Sequence, residues 1–296
     1  MPHLTRRDVL AAAAALSITA SARAQDASPI TRPLPGGGPP LPVVGLGTAS
    51  VFDVNDDATR QKADAVVRAL LATGGRLIDT ASTYGQAETV LGAVIATAGV
   101  RDRLFIASKV EAPDTNELKR SLARLKISKL DLLQLHNVRD PQQSLAQFRD
   151  WKAQGLCGLI GITSTYRGDL PAVAAVLKRE KPDFVQIDYS IDNREAESRV
   201  LPLAAEVGAG VLTALPFGRG RLFRAVRGKD VPDWAKPFAG SWAQFFLKYL
   251  IGDTRVTAVI PGTGDAAHMT DNAGAMRGAL PDAEQRKQMA AFVDGL

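Results

Sequence analysis

The feature that most constrains this chain is an alternation. Short apolar runs recur at 43–46, 77–78, 104–107, 130–135, 159–162, 184–187, 211–215 and 256–260, and polar turns and amphipathic stretches lie between them. In the stretch 58–71, Ala63, Val66, Val67, Leu70 and Leu71 follow helical spacing, the mark of a helix with one face on a core. Strands that alternate with helices pair in parallel through right-handed crossovers, and eight such units close on themselves. An open doubly wound sheet competes with this arrangement, but it would want a Gly-x-Gly-x-x-Gly turn after its first strand. Here Gly45-Leu46-Gly47-Thr48 lacks the third glycine, and no helical pattern follows it directly. The alternation therefore predicts an α/β fold, a (β/α)8 TIM barrel, with residues 43–296 as a single domain. The chain has 296 residues, 46% of them hydrophobic, enough apolar material for one large core.

Ahead of the barrel the pattern changes. Thr5-Arg6-Arg7-Asp8-Val9-Leu10 precedes an alanine-rich run, and Ala22-Arg23-Ala24 offers a small-x-small site before Gln25. A charged start, an apolar middle and a small-residue end are the parts of a secretory leader. The paired arginines resemble a twin-arginine signal. Residues 1–24 are expected to be this signal peptide, read by the twin-arginine translocase and removed, which puts the mature protein in the periplasm. Residues 25–42 hold Pro29, Pro33, Pro35, Pro39, Pro40 and Pro42 around three consecutive glycines. Proline fixes φ and cannot donate to a ladder, so this segment reads as an irregular lead-in with a short hairpin that plugs the barrel's lower end.

Several partners are excluded. No internal stretch approaches the ~20 apolar residues of a membrane span, so no stable membrane association is expected. The net charge is +5, but Lys and Arg are scattered and only Arg219, Arg221, Arg224 and Arg227 cluster. A nucleic-acid binder would show a basic stripe with interleaved aromatics. The single cysteine, Cys157, rules out an intrachain disulfide. With no base close by in the sequence, it reads as a small buried side chain. No metal site is expected, and the protein should be a monomer.

A barrel carries its chemistry at the carboxyl ends of its strands. The residues just past each run are Gly47-Thr48, Asp79, Tyr84, Lys109, His136, Ser164, Gln186, Pro216-Phe217-Gly218 and Pro261-Gly262-Thr263. Four of them form an acid–base set. Reducing a carbonyl by hydride requires a proton donor for the developing alkoxide. Tyrosine can donate, but with a reference pKa of about 10 it is slow at neutral pH. A lysine ammonium beside the phenol stabilises phenolate, and an aspartate holds that ammonium in place. A histidine N–H aimed at the carbonyl oxygen orients the substrate. Taken singly, Asp79 is often a helix cap, Lys109 a solvated loop residue, Tyr84 a packed ring and His136 a core side chain. Lys109 could also form a Schiff base, as in barrel aldolases.

Leu77-Ile78-Asp79-Thr80-Ala81-Ser82-Thr83-Tyr84-Gly85, with Glu88 and Leu91-Gly92 following, resembles the signature of the aldo-keto reductases. Phe105-Ile106-Ala107-Ser108-Lys109 resembles their lysine strand, and Leu130-Asp131-Leu132-Leu133-Gln134-Leu135-His136-Asn137 their histidine strand. The resemblance runs from about residue 42 to the end and keeps strand order. It implies an NAD(P)(H)-dependent oxidoreductase that interconverts a small carbonyl (aldehyde, ketone or sugar) and its alcohol. Tyr84 is then the proton donor, tuned by Lys109 and Asp79, and His136 orients the carbonyl.

The resemblance also implies a nucleotide side: Gly47, Thr48, Asp79, Ser164 and Gln186 near the nicotinamide, Phe217, Gly218 and Arg219 around the pyrophosphate, and Gly262, Thr263, His268 and Asn272 at the adenosine end. Ser164 stands where the family usually has asparagine. Ala214 stands where an aromatic residue often stacks on nicotinamide, a role Phe217 could take. Members specific for NADPH carry a lysine and an arginine where this chain has Gly262 and His268, so NADP(H) is the expected cofactor with NAD(H) accepted. Helix-start amides near Ala266 and Arg219 are the expected replacements for the lost charge. Export of a folded protein would carry the nucleotide inside the barrel. The tail after Asp282 reads as one helix without a long flap, which implies an open pocket. A non-catalytic nucleotide-binding barrel, acting as a sensor or partner subunit, is the competing function.

Overall fold

The structure, a computed structural model, describes residues 28–138 and 140–296. The expected leader over 1–24 lies outside the described residues. The lead-in forms the expected hairpin, with β1 (Thr31–Arg32) antiparallel to β2 (Leu41–Pro42). Its turn runs through Gly36, Gly37 and Gly38 at φ 76°, 90° and 98°, a left-handed path that side chains resist. Leu41 is fully buried within the barrel's inner cluster, and Leu34 packs against the same cluster. Burying one leucine contributes about 2 kcal/mol. Arg76 donates to the Pro39 carbonyl at 2.6 Å, and the Ile30 amide donates to Met276 O at 2.8 Å. The hairpin thus closes the barrel's lower end.

Above it stand β3 (Leu46–Gly47), β4 (Leu77–Asp79), β5 (Phe105–Val110), β6 (Leu130–His136), β7 (Cys157–Ser164), β8 (Phe184–Asp188), β9 (Gly210–Ala214) and β10 (Ala258–Val259). They pair in sequence order, every pair parallel. The ring closes where Val44 bridges Val259 and Gly47 bridges Gly262. Each apolar run overlaps one of these strands. β5 reaches three residues past its run because the polar Ser108 and Lys109 continue it. Cys157 opens β7, buried, and burial pushes its thiol up to about 11.

The helices are α1 (Asp57–Ala72), α2 (Ala87–Ala98), α3 (Thr115–Leu125), α4 (Pro141–Ala153), α5 (Leu170–Glu180), α6 (Glu195–Val207), α7 (Arg221–Ala225), α8 (Trp242–Ile251), α9 (Ala266–Gly274) and α10 (Ala283–Asp294). α1 starts where Asp56 accepts from the Thr59 amide, and it buries Ala63, Val66, Val67 and Leu70, the stripe its spacing predicts. The core has two layers. Leu77, Phe105, Leu132, Phe184 and Leu212 fill the barrel's interior, whereas Ile78, Ile106, Leu133, Val185 and Val211 face the helices. Among the described residues no helix is long and apolar enough to cross a membrane.

Candidate active site

Strand alternation decides what enters the barrel. Counting upward from the interior residues Leu77, Ala107, Leu132 and Phe184, the same parity brings Asp79, Lys109, Gln134, His136 and Gln186 inward at the carboxyl ends. Asp79 is 3% exposed and Lys109 1%. Lys109 Nζ donates to Asp79 Oδ2 at 2.6 Å and to the Thr80 carbonyl at 2.8 Å. Burial alone would push the ammonium down, but the Asp79 carboxylate and the Tyr84 phenol outweigh it and hold Lys109 above its ordinary value. Lys248 on α8 is the contrast. Equally buried, it donates only to the carbonyls of Arg277 and Ala279, and burial lowers it to about 8.

The turn after β4 brings Tyr84 over this pair, with the Lys109 ammonium 4.9 Å from its ring centroid. That turn needs Gly85: φ is +53°, and a side chain there would meet the Asp53 backbone at 3.0 Å. His136 ends β6 with its ring edge-on to Tyr84, centroids 5.8 Å apart, and its Nδ1 lies 3.3 Å from Thr83 Oγ1. Behind them, buried Glu88 on α2 accepts from Ser108 on β5 at 2.7 Å and from Arg124 on α3 at 2.9 and 2.6 Å. The helix that follows Tyr84 is therefore tied to the strand that carries Lys109. A phenol beside a fixed ammonium, with an imidazole at its edge, can deliver a proton to an oxygen held between them.

Asp79, Tyr84 and His136 open into a cavity of about 860 Å³ at the carboxyl ends of the strands. Gln186, Phe217, Arg219 and Gly262 line one part of it, and Ser50, Asp53, Thr83, Asn137 and Thr165 another. A second cavity of about 370 Å³ shares Phe217 and Gly262 with the first, and Phe223, Trp242, Thr263, His268 and Asn272 line it. Together they form a channel with an amide-bearing inner end and an aromatic outer end, which suits a dinucleotide. Arg219 and its glycine neighbours follow a left-handed path, φ 54° between 55° and 80°. At Gly218 a side chain would meet the Arg221 guanidinium at 2.8 Å, which is itself paired with Asp192.

Other expected contacts fall elsewhere. Thr48 is buried and gives its hydroxyl to the Asp79 carbonyl at 3.1 Å. Ser164 has the parity of Ile160 and Ile162, which face the helices, and its hydroxyl donates to Asp169 at 2.7 Å. Thr163, of the opposite parity, lines the cavity instead. The start of α9 is not open to an anion as expected. Asp265 caps it, accepting from the amides of Ala267 and His268 at 2.7 and 3.0 Å. That carboxylate occupies two of the donors a phosphate would use and adds negative charge of its own. Sequence reasoning passed over Gln134 and Asp265, and it singled out Ser164 rather than its neighbour Thr163. A polar residue two before His136 in an otherwise apolar strand was the available signal for the first.

A model of the aldo/keto reductase family matches residues 43–293. The methylglyoxal reductase YeaE of Escherichia coli K12 is 30% identical over 257 residues, which are 82% of this chain and 88% of that one. An aldo/keto reductase from Klebsiella pneumoniae, solved in complex with NADP and acetate, aligns with a TM-score of 0.77 at 26% identity, over 90% of this chain and 96% of that one. An aldo-keto reductase structure from the same organism, in complex with NADPH, gives 0.78 at 25% identity with the same coverage.

Proposed function

The chain belongs to the aldo/keto reductase family, and on that premise we propose that it reduces small hydrophilic carbonyl compounds to alcohols with NADPH, using Tyr84 as proton donor. Bound NADPH supplies the hydride that reaches the carbonyl carbon. Tyr84 Oη gives its proton to the carbonyl oxygen as that oxygen gains charge, and the phenolate left behind faces the Lys109 ammonium. Asp79 keeps that ammonium charged and in place. His136 holds the carbonyl oxygen, and Gln186 and Thr163 seat the nicotinamide.

The buried ammonium, 2.6 Å from Asp79 and 4.9 Å from the Tyr84 ring centroid, carries this reading. It also argues against a Schiff-base lyase, whose lysine must shed its proton to attack, because Lys109 is held above its ordinary value. A sensor barrel would have no use for the whole arrangement.

The substrate class follows from the wall. Among the described residues, the loops after β3, β4, β6 and β7 contribute small, mostly polar residues such as Ser50, Asp53, Thr83, Asn137 and Thr165 to the cavity, with Tyr166 a larger newcomer beside Tyr84 and His136 and no large aliphatic residue, lysine or arginine. Such a wall suits a compact, neutral, oxygen-rich aldehyde of the methylglyoxal kind. NADPH oxidation with methylglyoxal, glyceraldehyde, glyoxylate and a bulky aromatic aldehyde tests it. A higher kcat/KM for the aromatic aldehyde or for anionic glyoxylate would refute the substrate class. No oxidation with any carbonyl would refute the reaction.

The same reading extends to address. The protein acts as a monomer in the periplasm, exported folded by the twin-arginine translocase with its nucleotide aboard. Arg6-Arg7, the alanine-rich run and Ala22-Arg23-Ala24 support this. Changing Arg6 and Arg7 to lysine should leave folded precursor in the cytoplasm; unchanged export would reject the route.

A further inference from the structure

Gln134 sits on β6 two residues before His136, fully buried, and takes no part in the proton transfer above. Its Nε2 donates to Gln186 Oε1 at 2.8 Å and approaches Asp79 Oδ1 at 3.5 Å. Gln186 Nε2 in turn donates to Asp79 Oδ2 at 3.3 Å. Chemistry fixes the direction of both amides. An ionised carboxylate can only accept, so Gln186 turns its NH2 toward Asp79. Its Oε1 then faces Gln134, which must answer with its own NH2. The Oε1 of Gln134 is left buried, without a hydrogen-bond partner. Orphaned acceptors of this kind are uncommon in folded cores and point to a role beyond packing.

Resting on the reading that a nicotinamide dinucleotide occupies the cavity, we propose that Gln134 is a positioning residue that sets the Gln186 amide for the nicotinamide. With Gln134 donating to it, Gln186 keeps Oε1 as the acceptor it offers to a carboxamide NH2 and Nε2 as the group committed to Asp79. A rotated amide would set donor against donor. Asp79 thereby becomes the common anchor of two functions: it holds the ammonium beside the proton donor and, through Gln186 and Gln134, the seat of the hydride donor. The orphaned acceptor is the cost of spending the Gln134 amide on orientation.

Gln134→Met tests this, because it keeps the side chain's length and removes both polar atoms. The probes are NADPH and adenosine 2′,5′-bisphosphate, which carries the adenine end and no nicotinamide, each titrated by calorimetry. NADPH should bind about tenfold more weakly to the variant, the effect of about one hydrogen bond, and the bisphosphate should bind as to the unaltered protein. Gln186→Met should lose at least as much, and the double variant no more than Gln186→Met alone, since one residue acts through the other. Additive losses overturn the proposal, as does unchanged NADPH binding in Gln134→Met. Equal weakening of both probes also overturns it, since that marks general damage to the barrel. Failure of the unaltered protein to bind either probe would overturn the dinucleotide reading itself.

Discussion

Lys109 lies behind Asp79 and Tyr84 at the inner end of the channel and His268 lines its outer end, and their surroundings could hardly differ more. Around Lys109 the polar groups are held by one another: Asp79 accepts from the ammonium and from Gln186, Ser108 is held by Glu88, and Glu88 by Arg124. His268 is exposed, beside the helix-capping carboxylate of Asp265. Asp271 lines the same pocket, its carboxylate bonded to Gln244, and among the described residues no lysine or arginine does. The two ends face different physical demands. Proton and hydride transfer fail steeply when reacting groups shift by about 1 Å, so the acid–base end is braced. Nucleotide affinity sums many contacts, and one phosphate contact can weaken without abolishing it.

The braced end should respond most strongly at Tyr84. Tyr84→Phe should lower kcat about 10²–10⁴-fold, the usual contribution of a general acid, with NADPH affinity unchanged by titration. A kcat within tenfold of the unaltered enzyme would mean that another group protonates the alkoxide.

The bracing itself is tested at Lys109. Lys109→Met strands the Asp79 carboxylate in the core and should cost about 3–5 kcal/mol of stability in urea at neutral pH. The sign of the pH dependence follows from the direction of its shift. Lys109 is raised in the folded protein, so its contribution is complete below the ordinary lysine value of about 10.4 and fades as pH climbs past it. The gap between the two proteins should therefore narrow in strong alkali. A gap that stays constant would show that packing, and not the ion pair, is the source.

The smallest effect belongs to the other end. His268→Arg restores a fixed cation and should shift the ratio of NADPH to NADH affinity toward NADPH by about tenfold at pH 8. Asp265→Asn should move it the same way by removing a carboxylate. If the unaltered protein already preferred NADPH more than a thousandfold, the contrast between the two ends would collapse.

Much of the barrel was legible because period and turn chemistry are local properties. The eight runs, the α1 stripe, the plugging hairpin and the four acid–base residues could all be read in order along the chain. What could not be read is facing. A parallel strand buried on both sides is apolar on both sides, so Leu132 inside and Leu133 outside look alike in sequence. That is why the outward parity of Ser164, named from its resemblance to a family asparagine position, did not show in the sequence, and why Gln134 could be noticed as a polar intruder without its partner Asp79 being named. The Asp265 cap was hidden differently. One carboxylate at a helix start reads as routine, and only the placement of its oxygen reveals which amides it has taken.

The seam that closes the ring has a consequence for how the protein is made. Val44 pairs with Val259, the Ile30 amide reaches Met276, and Arg32 reaches Ile251 across 219 residues. Contacts of such sequence separation form late and slowly. On a ribosome the first strand would emerge long before its partner exists, and the hairpin could not dock until residue 276 had cleared the exit tunnel. Until the last strand arrives, the ring lacks the pairing that closes it. A leader at its N-terminus would be displayed for nearly the whole of synthesis before there was any folded cargo to move, so timely transport would depend on the signal being shielded until the last strand arrives.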